Sequence, residues 1–138
     1  MTAYNYRYLL DTNILSDLIK HPSGSIAQKI ATSDIEQLCC TSLIVACELR
    51  YGACKKDSPQ LSSKVEQLLH ILPILPLEEN VAQQYGEVRT ELERKGQPIG
   101  GNDLLIAAHA LTLRMTVVTA NFREFSRVPG LAVENWLE

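Results

Sequence analysis

Four side chains could do chemistry together if the fold gathers them: Asp11, Glu48, Asp103 and Asn121. Asp11 ends the apolar run Tyr8-Leu9-Leu10 and is followed by Thr12-Asn13, the pattern of a short buried strand feeding a helix. Asn121 stands just past a second apolar run, residues 115–119, in the same relation. In open α/β sheets, ligands bind outside this carboxyl edge of the strands. Asp103 opens a helical segment, and Glu48 lies in the second turn of another, where it shares a face with Ile44 and Tyr51. Carboxylates grouped in a partly buried pocket raise each other's pKa, and an unpaired charge there is costly. No Lys or Arg adjoins Asp11 or Asp103 in the chain, so the neutralising charge must come from elsewhere. An all-oxygen donor set without His or Cys selects Mg²⁺ or Mn²⁺. Such an ion activates water and stabilises charge on a phosphodiester, with two ions ~4 Å apart if both bind. That chemistry needs no protein nucleophile, and no Ser-His-Asp or Cys-His arrangement stands out in the chain.

Taken singly, each residue also has a plainer reading. Asp11 suits a turn, and Asp103 in a first helical turn is favoured by the helix dipole. Glu48 suits a surface ion pair with Arg50 or Lys55. What raises the chemical reading is that three distant stretches bring acids or amides to similar strand-to-helix junctions.

The elements that must position them follow from periodicity. Residues 8–10 are a strand, and residues 14–19 a short helix capped by Thr12 or Asn13 and ended before Pro22. Residues 26–31 form a second short helix and residues 35–41 a second strand. Ser42 is an N-cap for the helix that carries Glu48. Residues 60–71 are amphipathic. Residues 73–77, bounded by prolines, can only be an edge strand. Residues 78–95 make a long helix, residues 96–101 a glycine-rich break, and residues 104–113 a helix of small apolar residues. Residues 115–119 read as a buried parallel strand, 120–125 as a loop or short helix, and 131–136 as a closing strand. Alternating strands and helices give an α/β domain with a largely parallel sheet and right-handed crossovers.

The 138 residues suit one domain, residues 1–138. A net charge of −3, from 13 basic against 16 acidic residues, argues against gripping nucleic acid by bulk positive charge. It leaves room for a nuclease with a few local Arg and Lys residues. The start of the chain lacks the apolar core of a signal peptide, and no run approaches the ~20 apolar residues of a membrane span. A cytoplasmic location and no membrane partner are expected. Cys39, Cys40, Cys47 and Cys54 form no Cys-x-x-Cys pair, and His21, His70 and His109 are scattered. Free, mostly buried thiols are expected, with no zinc site.

Four segments resemble the PIN-domain ribonucleases, and within them the VapC-type toxins of bacterial toxin–antitoxin modules. They are Leu9-Leu10-Asp11-Thr12-Asn13, Glu48-Leu49-Arg50-Tyr51-Gly52, the run from Ile99 to Ala110, and Val118 to Phe125. The ending Arg127-Val128-Pro129-Gly130-Leu131 with Glu134-Asn135-Trp136 fits as well. The resemblance implies a three-layer α/β/α sandwich. It implies an endoribonuclease that cuts structured RNA, such as a tRNA or rRNA loop, and so inhibits translation. A homodimer and a cognate VapB-type antitoxin are implied too. It maps metal-holding acids onto Asp11, Glu48 and Asp103. The family's fourth position, often Asp, is Asn121, which brings an amide oxygen but no charge; Glu124 is the nearest substitute. Thr12, Asn13 and Thr119 are expected to orient the acids. Arg50, Lys55, Lys56, Arg123 and Arg127 flank the acidic segments and are candidates for meeting RNA phosphates. Two alternatives remain at this point: a phosphatase working through a phosphoaspartate at Asp11, and a non-catalytic PIN-like binding module.

Overall fold

The computed structural model describes residues 4–137. A five-stranded sheet of order β3-β2-β1-β4-β5 forms its middle layer, with every pairing parallel. The strands are β1 (Tyr8–Leu10), β2 (Cys39–Ser42), β3 (Ile74–Leu75), β4 (Thr116–Val118) and β5 (Val133–Glu134). The central strands β1 and β4 are mostly apolar because helices cover both faces, and such strands read as hydrophobic runs. Leu9, Cys40 and Val117, on the three central strands, are 0% exposed. Leu9→Ala is therefore expected to destabilise the fold by about 3 kcal/mol, measured by urea denaturation.

The helical layers are α1 (Thr12–Lys20), α2 (Ser25–Thr32), α3 (Leu43–Lys56), α4 (Pro59–Ile71), α5 (Asn80–Arg94), α6 (Gly101–Leu113) and the short α7 (Phe122–Phe125). α5 packs along α6, while α3 packs on α4 and also meets α1 and α6. The result is the three-layer α/β/α sandwich expected from the sequence. As read there, Ser42 caps α3: its Oγ accepts from the Ile44 N–H at 3.1 Å. α5 ends where Gly96 takes φ +68° and the Gln97 N–H bonds back to the Leu92 carbonyl, a C-terminal motif that favours glycine. The chain then turns into the loop that leads to α6.

Several local expectations change. Thr12 and Asn13 do not cap α1; Asp11 occupies the N-cap position, with no side-chain capping bond. Residues 35–41 are not all strand, because Glu36–Leu38 coil into a 3-10 turn before β2. The closing strand shortens from 131–136 to Val133–Glu134. In both cases a local turn bond takes over at the strand's entrance: the Leu38 N–H donates to the Ile35 carbonyl at 2.9 Å, and the Leu131 N–H to the Val128 carbonyl at 3.3 Å. α6 starts at Gly101, so Asn102 and Asp103 lie inside its first turn. Cys39 and Cys40 are buried as free thiols, but Cys47 and Cys54 are exposed, because α3 turns that stripe outward. The start of the chain, read above for a leader, includes residues 1–3, which lie outside the described residues, as does Glu138. Among the described residues, no helix is long and apolar enough to cross a membrane.

Candidate active site

The strand order places a crevice at the centre of the sheet. From β1 the chain moves outward to β2 and β3, then returns to the other side of β1 for β4 and β5. Connections therefore diverge at the carboxyl ends of β1 and β4, the position where open α/β sheets bind ligands. Leu10 pairs with Val118 in the ladder, so Asp11 and Thr119 are the first residues past its end. The Asp11 N–H donates to the Val118 carbonyl at 2.9 Å. The Thr119 hydroxyl donates to Asp11 Oδ2 at 2.7 Å and itself accepts the Asn121 N–H at 2.9 Å. Asp11 is only 4% exposed. Burial pushes its carboxyl above the usual range, partly offset by the Thr119 hydroxyl and the Thr12 N–H, with Glu48 and Glu124 adding to the rise.

Glu48 reaches this crevice from α3. Thr12 Oγ1 donates to Glu48 Oε1 at 2.5 Å, and Asn102 Nδ2 donates to Glu48 Oε2 at 3.3 Å. The plainer reading of Glu48 as a partner of Arg50 fails, because Arg50 makes a two-pronged bond to Glu66 instead. Thr12 thus trades the capping role expected of it for a contact 36 residues away. Asn13 does likewise: its Oδ1 accepts the Ala120 N–H at 3.1 Å and ties α1 to the turn after β4.

Asp103 enters from the first turn of α6. Asn121 Nδ2 donates both to Asp103 Oδ2 at 3.2 Å and to Glu124 Oε2 at 2.7 Å. Glu124 Oε1 in turn accepts the Gly100 N–H at 2.6 Å. Burial, then the charges of Asp11, Glu124 and Glu48, push Asp103 up to about 7. For Glu124, burial acts upward, but the Gly100 N–H, the Asn121 amide, Asp103 and Arg127 outweigh it and hold the carboxyl below its ordinary value. Asn121 therefore acts as a clasp between two carboxylates.

Asp11, Thr12, Asn13, Glu48, Asp103 and Asn121 line one open cavity of about 430 Å³, together with Ser16 and Lys20. Thr119 and Glu124 stand behind it as hydrogen-bond partners of Asp11 and Asn121. Ser16 and Lys20 were missed in the sequence, although a signal exists: Thr12, Ser16 and Lys20 recur every fourth residue, and so share one face of the helix that starts at Asp11. The basic candidates are dispersed. Arg50 is engaged by Glu66, Lys55 lies over the Tyr51 ring at 5.9 Å, and Arg127 donates to the Pro98 carbonyl at 3.0 Å. Arg123 is exposed on α7. Lys56 lines a neighbouring groove.

The donor set fits a hard divalent cation. It is oxygen throughout, and burial together with mutual repulsion of the acids raises Asp103, the condition that a bound cation relieves. Among the described residues, no three of these acids stand close enough to close around one ion unaided. Mg²⁺ keeps several waters and takes only one or two carboxylates directly. Thr119→Val keeps the side-chain shape but removes the hydroxyl that orients Asp11. Loss of such an orienting partner is expected to weaken metal affinity about 10- to 100-fold, as read by titration calorimetry with Mn²⁺.

His109 takes a structural part that its place in the sequence does not announce. It is buried on α6, with Nδ1 2.9 Å from the Ser42 hydroxyl. Burial holds its pKa below the ordinary value, so it stays neutral and ties α6, which carries Asp103, to the start of α3, which carries Glu48.

Comparison with known proteins places the fold in a family. The PIN domain family model matches residues 8–131. The chain is 43% identical over 131 residues to "Ribonuclease VapC2" of Rickettsia felis, covering 94% of this chain and 97% of the relative. It is 37% identical to "tRNA(fMet)-specific endonuclease VapC" of Salmonella typhimurium, over 94% of this chain and 98% of the relative. Among solved structures, VapBC2 from Rickettsia felis bound to a DNA fragment from their promoter superposes with a TM-score of 0.86 at 41% identity, covering 94% and 98% of the two chains. DNA-bound VapBC from Salmonella typhimurium gives 0.88 at 36%, covering 95% and 98%. With the likeness running through nearly the whole length of each relative, the chain belongs to the PIN-domain family, among its VapC-type ribonucleases.

Proposed function

We propose that this chain is a Mg²⁺- or Mn²⁺-dependent endoribonuclease that cuts a loop of structured RNA, tRNA or rRNA, and thereby stops translation as the toxin of a type II toxin–antitoxin pair. The observation that carries the reading is the cavity at the sheet's switch point, where Asp11, Glu48, Asp103 and Asn121 meet. Dependence on a divalent ion is general among PIN-domain ribonucleases; the choice of ion rests on the oxygen-only donors. A bound ion would supply a polarised water and positive charge toward the phosphodiester. Asp11, Asp103 and Glu48 would share it, one or two of them directly and the rest through its waters, with Asp11 fixed by Thr119 and Glu48 by Thr12 and Asn102. Asn121 spaces Asp103 from Glu124 without adding charge.

The relatives' complexes support a VapB-type antitoxin as partner, and the same family supports a homodimer working in the cytoplasm as one domain. The phosphoaspartyl alternative loses its basis: two residues past Asp11 stands Asn13, whose Oδ1 is held by the Ala120 N–H and which has no acidic proton to give a leaving group. The test is incubation of purified protein with total tRNA and rRNA in Mg²⁺ or Mn²⁺, with the new RNA ends mapped. Cleavage at a defined loop that stops on chelation is expected. Undiminished cleavage in chelator would overturn the metal assignment, and no cleavage with either ion would favour the non-catalytic binding module.

A further inference from the structure

A second, smaller cavity opens beside the acidic one. The two share Thr12, Ser16, Lys20 and Glu48. Beyond these the smaller one closes between α1, α3 and α4 as an apolar slot of about 170 Å³, floored by Ile19, Leu49, Leu61 and Val65. Two ammonium groups border it, Lys20 and Lys56, and neither forms an ion pair among the described residues. Gly52 also lines it. A Cβ on Gly52 would meet nothing within 4 Å, so no packing within the chain demands a glycine in the middle of α3. Glycine inside a helix costs about 1 kcal/mol relative to alanine, yet here it keeps the slot open.

We propose that this slot is a nucleobase subsite, holding the base of a nucleotide next to the scissile phosphate while Lys20 and Lys56 meet its phosphate oxygens. The proposal rests on the nuclease reading above and extends it to substrate selection. Three features favour a nucleotide. The slot shares four residues with the acidic cavity, so its occupant is continuous with the group held at the acids. Its volume is below the ~300 Å³ at which pockets for drug-sized ligands begin, and suits a single ring system. Its border offers positive charge to an anion while its floor offers apolar contact to a ring face. The Thr12 hydroxyl is already given to Glu48, which leaves Ser16 as the free hydroxyl in the lining. Selection there works by ring size more than by reading of base edges.

The test is an NMR titration of the full ¹⁵N-labelled chain in Mg²⁺ with each of the four 5′-nucleoside monophosphates, and with ribose 5-phosphate as the baseless probe. Saturable shifts at the Gly52 and Ala53 amides are expected with nucleotides and not with ribose 5-phosphate, with purines and pyrimidines differing about threefold or more in affinity, a gap of at least ~0.65 kcal/mol. Gly52→Leu should abolish those shifts while the melting temperature holds or rises, because the new side chain fills the slot and not the core. Identical shifts from nucleotides and ribose 5-phosphate, or nucleotide shifts that survive Gly52→Leu, would overturn the proposal. So would a slot that ignores all four nucleotides but responds to the antitoxin, which would assign it to the protein partner. Failure of the acidic site is read separately, as the absence of Mg²⁺-dependent ribose 5-phosphate shifts at Asp11 and Asp103 in wild type and variant alike.

Discussion

Asp11→Asn should leave a folded protein whose RNA cleavage falls by about 100- to 1000-fold, the scale on which loss of one focused electrostatic contact acts in a water-poor site. The fold is expected to survive because the contacts of Asp11 do not require its charge. Its N–H stays bonded to the Val118 carbonyl, and an amide oxygen can accept the Thr119 hydroxyl in place of Oδ2. Burial already penalises the charge on Asp11, so removing it should raise the metal-free melting temperature at neutral pH. Lost cleavage with a stable fold separates a catalytic from a structural role. Near-normal cleavage by this variant would remove Asp11 from the chemistry and with it the proposed metal site.

The second large effect concerns the ion. Asp103 titrates near 7 when folded, against an ordinary value of 3.8, so the folded state holds its proton more tightly than the unfolded chain. The stability linked to that proton is fully present below about pH 4, is lost as the pH rises toward 7, and is gone above it. Asp11 is raised too and acts in the same direction. Glu124 is held low and opposes them, with stability lost as the pH falls below its ordinary range. Between pH 5 and 7 the two raised acids prevail. Asp103 is only half-buried and solvent damps the effect, so the metal-free melting temperature should drop by about 5 °C from pH 5.5 to 7.5. At pH 7.5, Mn²⁺ or Mg²⁺ at 100 times its Kd should restore about 2.7 kcal/mol, or roughly 8 °C, and excess chelator should reverse the gain. Asp103→Asn should flatten the pH dependence and remove most of the metal effect. Scanning calorimetry at the two pH values, with and without ion, checks both parts, and a melting temperature indifferent to metal at pH 7.5 would contradict the assignment.

The order of elements was legible because each carries its own local signal. Tyr8-Leu9-Leu10 and Thr116-Val117-Val118 are apolar without alternation, as strands covered on both faces must be. Ser42 announced the start of α3, and Gly96 the end of α5. Element ends were less legible. Residues 36–38 and 131 look like strand but are drawn into local turns, the Leu38 N–H bonding to the Ile35 carbonyl and the Leu131 N–H to the Val128 carbonyl, and which bond wins is decided by the surrounding sheet. The four cysteines read as mostly buried because cysteine often is, yet Cys47 and Cys54 are exposed; which stripe of α3 faces inward depends on what packs against it.

By itself, the sequence determined an α/β chain whose acids and amides follow strand ends, because strand, cap and turn preferences act over a few residues. Only the tertiary structure decided that Thr12 serves Glu48 instead of capping its own helix, that Asn121 clasps Asp103 to Glu124, and that Lys20 and Ser16 share the acids' cavity. The physical reason is reach: a hydroxyl or amide takes the best partner within about 3 Å, and for these side chains that partner belongs to a distant part of the chain or to another element across the switch point.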